Sequence, residues 1–121
     1  MNAAKIDLEK LARDIGWMEK HADYILITQD TIAIIEETKT AKKDDIEKLE
    51  KTIEAIRNGP LKNHIPTQPT TKIIAIIHAE RKVDLMITRL ILTHNHKNTI
   101  YHKANCNQEL KKILNQHGLD P

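Results

Sequence analysis

Charged side chains crowd the end of an apolar run: Glu36, Glu37 and Lys39 follow Ile32-Ala33-Ile34-Ile35 almost without a break. A further carboxylate, Asp23, stands at the head of the preceding run, Tyr24 to Thr28. Two β-branched runs flanking the polar break Gln29, Asp30 and Thr31 read as a β-hairpin, so these charges lie where a buried strand ends. Carboxylates and an amine gathered there form a constellation for a divalent cation, because a hard cation takes oxygen ligands.

Strand parity sorts the candidates. Side chains two apart share a face, so Glu37 and Lys39 go together while Glu36 joins Thr38 on the other side. Asp23 is opposite Glu36 if the turn holds two residues, Gln29 and Asp30, and opposite Glu37 if it holds three, Gln29 to Thr31. The pairing of Asp23 with Glu37 therefore requires the three-residue turn or a bulge.

The remaining elements must carry this hairpin. Ala4, Leu8, Leu11, Ala12 and Ile15 recur at helical spacing before Gly16 and predict a helix over 5–15. After Lys39 the period becomes helical again, with Ile46, Leu49, Ile53 and Ile56 on one side and Gly59-Pro60 as the stop. Pro60, Pro66 and Pro69 make 60–71 a proline-stiffened loop. The run Ile73 to Ile77 suits a strand buried on both faces. A helix to His94, a strand over 99–104 and a helix over 106–116 complete the chain. Strands separated by helices imply parallel pairing through right-handed crossovers. The expected fold is thus a single α/β domain over 1–121, a four-stranded mixed sheet with an N-terminal antiparallel hairpin and helices on both faces.

Composition narrows the function classes. The 121 residues contain 40% hydrophobic and 30% charged residues, the range of a folded soluble domain. With no Phe, two Tyr and one Trp, the core is aliphatic and base-stacking platforms are excluded. Nineteen basic and 17 acidic residues leave +2, too little to imply nucleic acid by itself. Three glycines exclude glycine-rich nucleotide loops, and one cysteine, Cys106, excludes an internal disulfide and a cysteine-rich zinc site. No stretch has the length of a membrane span or the apolar core of a signal peptide, so the expected location is cytoplasmic.

Asp23, the hairpin, Glu37-Thr38-Lys39, a helix and a further buried strand together resemble the core of the PD-(D/E)XK nuclease superfamily, with its restriction-endonuclease-like and archaeal Holliday-junction-resolvase-like folds. The resemblance implies Asp23 and Glu37 as ligands of Mg²⁺ and Lys39 as the residue that orients or deprotonates the attacking water. It also implies a homodimer and a DNA or RNA substrate. Ala22 stands where the family usually has proline, and the strand that commonly precedes the hairpin reads as shortened or absent. Lys42, Lys43, Arg81 and Lys82 cluster after the second and third strands and are candidate phosphate contacts.

Other features read more plainly. His94-Asn95-His96, with His102 shortly after, reads as a polar helix end, since two imidazoles two apart cannot share a helix face. His78 ends the buried strand beside the expected site, Cys106 reads as a buried small residue, and Glu9 as a surface acid. The helix before His94 carries Leu85 and Leu92 outside its main apolar face, which suits a dimer interface and a non-catalytic interaction protein as the alternative function.

Overall fold

The computed structural model describes residues 3–94 and 98–119. The elements in order are β1 (Ala4–Asp7), α1 (Leu8–Ile15), β2 (Tyr24–Ile27), β3 (Thr31–Thr38), α2 (Lys43–Asn58), β4 (Lys72–Ala79), α3 (Leu85–Thr93), β5 (Thr99–Ala104) and α4 (Asn107–Gln116). They form one five-stranded sheet in sequential order. β2 runs antiparallel to β1 and β3, while β3, β4 and β5 are parallel.

The sheet has five strands instead of the expected four because Ala4–Asp7 is an edge strand, paired from Ala4 opposite Ile27 to Asp7 opposite Tyr24. The apolar spacing from Ala4 to Ile15 is continuous and hides the break. Asp7 makes it: its carboxylate accepts from the Lys10 backbone N–H and caps a helix that starts only at Leu8. Of the two expectations for the strand before the hairpin, shortened or absent, the first holds: it is present with four residues.

Burial explains the middle of the sheet. Ile73 to Ile77 are fully buried on alternate faces, as a central parallel strand requires. The crossovers β3–α2–β4 and β4–α3–β5 advance in the same direction, so right-handed connections place both helices on one face. There α1, α2 and α3 pack through Leu8, Ile46, Leu49, Ile56 and Ile87 onto Ile25, Ile32, Ile34, Ile73, Ala75 and Ile77. The opposite face is covered by α4 alone, through Leu110 and Leu114, over Leu26, Ala33, Ile35, Ile74 and Ile76. The 60–71 segment forms no helix or strand, and its Leu61 and Ile65 plug the three-helix side of the core. Among the described residues, no helix is long and apolar enough to cross a membrane.

Candidate functional site

The hairpin turn holds two residues. Thr28 N–H donates to the Thr31 carbonyl across Gln29-Asp30 at 2.9 Å, and the Asp30 carboxylate accepts from the Thr28 and Thr31 hydroxyls. Tyr24 consequently pairs with Ile35. One step along, Asp23 N–H donates to the Ile35 carbonyl and Asp23 stands opposite Glu36. Asp23 and Glu37 are thus not the opposed pair. Asp23 meets Glu37 only at the backbone, where its Oδ2 accepts the Glu37 N–H at 2.7 Å.

On the three-helix side, Glu36 follows Ile32 and Ile34 down the buried face of β3 and is 2% exposed. Lys48 of α2 reaches its Oε2 at 3.1 Å, and the same ammonium lies 3.9 Å from Asp45 and 4.0 Å from Asp44. Glu36 Oε1 is buried without a hydrogen-bond partner. Burial first, and the Asp23 carboxylate second, push the Glu36 carboxyl up to about 8 against the pull of Lys48. The start of β2 is pinned to the same helix, because Ala22 N–H donates to the fully buried Thr52 hydroxyl at 2.9 Å. Glu36, opposite Asp23 and paired with Lys48, therefore takes the place across the hairpin where Glu37 was expected.

Helix spacing carries a signal for Lys48. Asp45, Lys48 and Thr52 recur at i, i+3 and i+7, bordering the apolar stripe of Ile46, Leu49, Ile53 and Ile56. Polar groups on that border face the sheet.

Glu37 and Lys39 lie across β3 in a cleft of about 630 Å³ with Thr38, His78, Glu80, Asn105, Cys106 and Asn107. Glu37 and His78 are register partners, and the Glu37 Oε2 lies 3.4 Å from His78 Nδ1. Asn105 closes the floor by donating to the Ala79 and Arg81 carbonyls. Cys106 is exposed and not buried, because it serves as the N-cap of α4, its Sγ accepting from Glu109 N–H.

The basic candidates divide. Lys39, Lys42 and Arg81 join Lys48 in a second cleft of about 580 Å³, which also includes Asp44 and Asp45. Lys43 and Lys82 are exposed outside its lining. Glu9 pairs with His21 at 3.2 Å and stabilises the 16–23 connection, away from these carboxylates. His94 caps α3 and pairs with Glu50 at 3.0 Å, while His96 lies outside the described residues. Among the described residues, no three His, Cys, Asp or Glu side chains form a metal-binding group.

The raised Glu36 pKa fixes a pH dependence. In the folded chain Glu36 holds its proton from about 4.5, the ordinary value, up to about 8. Its contribution to stability is complete below the lower value and is lost as pH rises through the upper one. The urea midpoint of metal-free protein is expected to fall from about pH 4.5 to about pH 8 and to level off above that, measured by circular dichroism at constant ionic strength.

Comparison with protein-family models, with curated proteins and with solved structures finds no match for this chain.

Proposed function

We propose that the protein is a Mg²⁺-dependent nuclease in which Asp23 and Glu36 hold the cation and Lys48 orients the attacking water. The observation that carries this reading is Glu36 Oε1, a buried carboxylate oxygen with no partner, on the strand opposite Asp23. A proton satisfies it in the metal-free chain; a divalent cation supplies the same positive charge with more of it. Mg²⁺ is commonly held by one or two carboxylates and completed by water and phosphate oxygens, so a third acid is not required. Exposed Asp23 is the outer ligand and Glu36 the inner one.

The surroundings support a polyanionic substrate. Lys39, Lys42 and Arg81 line the cleft beside Lys48, where they can neutralise phosphates flanking the scissile bond. The antiparallel hairpin, helical crossover and parallel strand agree with the PD-(D/E)XK resemblance, with Glu36 in the role it implied for Glu37 and Lys48 in that of Lys39. A cation held by Asp23 and Glu36 would supply Lewis-acid polarisation of a phosphoryl oxygen, while Lys48 would orient the water that forms the new P–O bond as the sugar oxygen leaves.

The test is cleavage of labelled single-stranded, duplex and branched DNA and RNA with and without Mg²⁺. Wild type is expected to cut at least one substrate in a Mg²⁺-dependent manner, and Asp23→Asn and Lys48→Ala to lose that activity, whereas Lys39→Ala retains most of it. Metal-independent cleavage, or full activity in Asp23→Asn, would overturn the assignment.

A second reading rests on α3, where Leu85 and Leu92, seven residues apart on one helix face, are 65% and 62% exposed and Met86, beside Leu85, is 73% exposed. A non-catalytic dimer using that face requires no Mg²⁺, and sedimentation equilibrium of wild type and Leu92→Glu distinguishes it.

A further inference from the structure

The sheet face under α4 carries an imidazole pair that the nuclease reading does not use. His102 lies on β5 and His117 is the C-cap of α4. Their Nε2 atoms are 3.2 Å apart, with ring centroids at 5.3 Å and planes inclined by 55°. We propose that His102 and His117 form a two-histidine site for a borderline transition-metal ion of the Zn²⁺, Ni²⁺ or Cu²⁺ class.

Distance is the first argument. Imidazole nitrogens bound to one such ion at about 2.0–2.1 Å stand roughly 3–3.4 Å apart in tetrahedral or square arrangements. The observed separation of 3.2 Å falls in that interval. A hydrogen bond at the same distance uses one lone pair and one proton. An ion uses both lone pairs, and each ring then keeps its proton on Nδ1, which on His117 is buried without a hydrogen-bond partner.

Charge is the second consideration. Besides being partly buried, both rings feel the Lys72 ammonium on β4. The same ammonium opposes a bound cation and sets the affinity below that of a structural zinc centre. Ligand type is the third. Imidazole selects Zn²⁺, Ni²⁺ and Cu²⁺ over Mg²⁺, so the pair is chemically distinct from the Asp23–Glu36 carboxylates.

The backbone holds the geometry. After α4, the N–H groups of His117 and Leu119 both donate to the Leu114 carbonyl, and that of Gly118 donates to Asn115. Gly118 takes φ +75°, a left-handed conformation suited to glycine, and fully buried Leu119 anchors the turn in the core beneath α4. One ligand thus sits on a strand and the other on an anchored helix end. With no third His, Cys, Asp or Glu grouped with them among the described residues, water completes the coordination.

The test is calorimetric titration of the EDTA-stripped protein with Zn²⁺ and Ni²⁺ near neutral pH, together with electron paramagnetic resonance of the Cu²⁺ form. One equivalent and hyperfine coupling to two nitrogens are expected. His102→Asn and His117→Asn are each expected to weaken binding about tenfold or more, given that even outer-shell contacts are worth ~10–100-fold. Lys72→Gln, which leaves both ligands in place, is expected to tighten it. Absence of binding by wild type, or binding unchanged in the folded His102→Asn/His117→Asn protein, overturns the site. Far-ultraviolet circular dichroism in EDTA establishes that the variants fold, and none of these measurements depends on Mg²⁺ or cleavage.

Discussion

Glu36→Gln is expected to raise the melting temperature of the metal-free protein at alkaline pH while lowering Mg²⁺-dependent cleavage about 100-fold or more, the scale of several kcal/mol of metal-ion stabilisation. The two effects have one origin. Above about 8 the wild-type chain carries an ionised carboxylate that is 2% exposed and stands opposite another carboxylate, whereas glutamine occupies the same volume without charge. Lys48 is not stranded by the change, because its ammonium still has Asp44 and Asp45 within 4.0 Å and is partly solvated. The stability gain should shrink toward about pH 5, where wild-type Glu36 is itself protonated. Melting curves across pH with parallel cleavage assays separate this outcome from a plain packing role, in which activity and stability fall together.

Ile34→Ala is expected to cost about 2–5 kcal/mol, measured by urea unfolding. Ile34 is fully buried in β3, flanked by Ile25 on β2 and Ala75 on β4. Alanine already at position 75 leaves the β4 side of that row with no large side chain to swing into the void. Against a total of about 5–15 kcal/mol for a domain, a loss of that size threatens the folded population itself. Because Glu36 is the next residue on the same face, activity lost in this variant should return under conditions that restore folding.

The sheet's centre was legible because unbroken β-branched runs admit few alternatives. Ile73 to Ile77 can be satisfied only by burial on both faces, and Gly59-Pro60 stops α2 by removing a donor and breaking the helical conformation. The N-terminal strand was hidden by a spacing that suits a helix throughout, since only a partner strand can reveal that Ala4 to Asp7 is extended. The site was half legible for a similar reason. Parity along β3 correctly separated Glu36 from Glu37, but the choice between them depended on whether Thr31 belonged to the turn or to the strand, and β-branched threonine suits the strand. Lys48 was missed because a lysine on an amphipathic helix is usually solvated, although its spacing from Asp45 and Thr52 puts it on the border that faces the sheet.

The uneven distribution of helices has a kinetic meaning. Three helices interlock on one side of the sheet, but the other side is closed by ten residues of α4. Detaching α4 breaks few tertiary contacts, so it is the natural unit of local opening and its amides should exchange with solvent faster than those of α2. The two sides of the β3 terminus therefore live on different clocks. The cleft around Glu37, His78 and Cys106 is built against the start of α4 and is expected to open with it, whereas Glu36 and Lys48 lie on the side covered by α2 and are expected to open later.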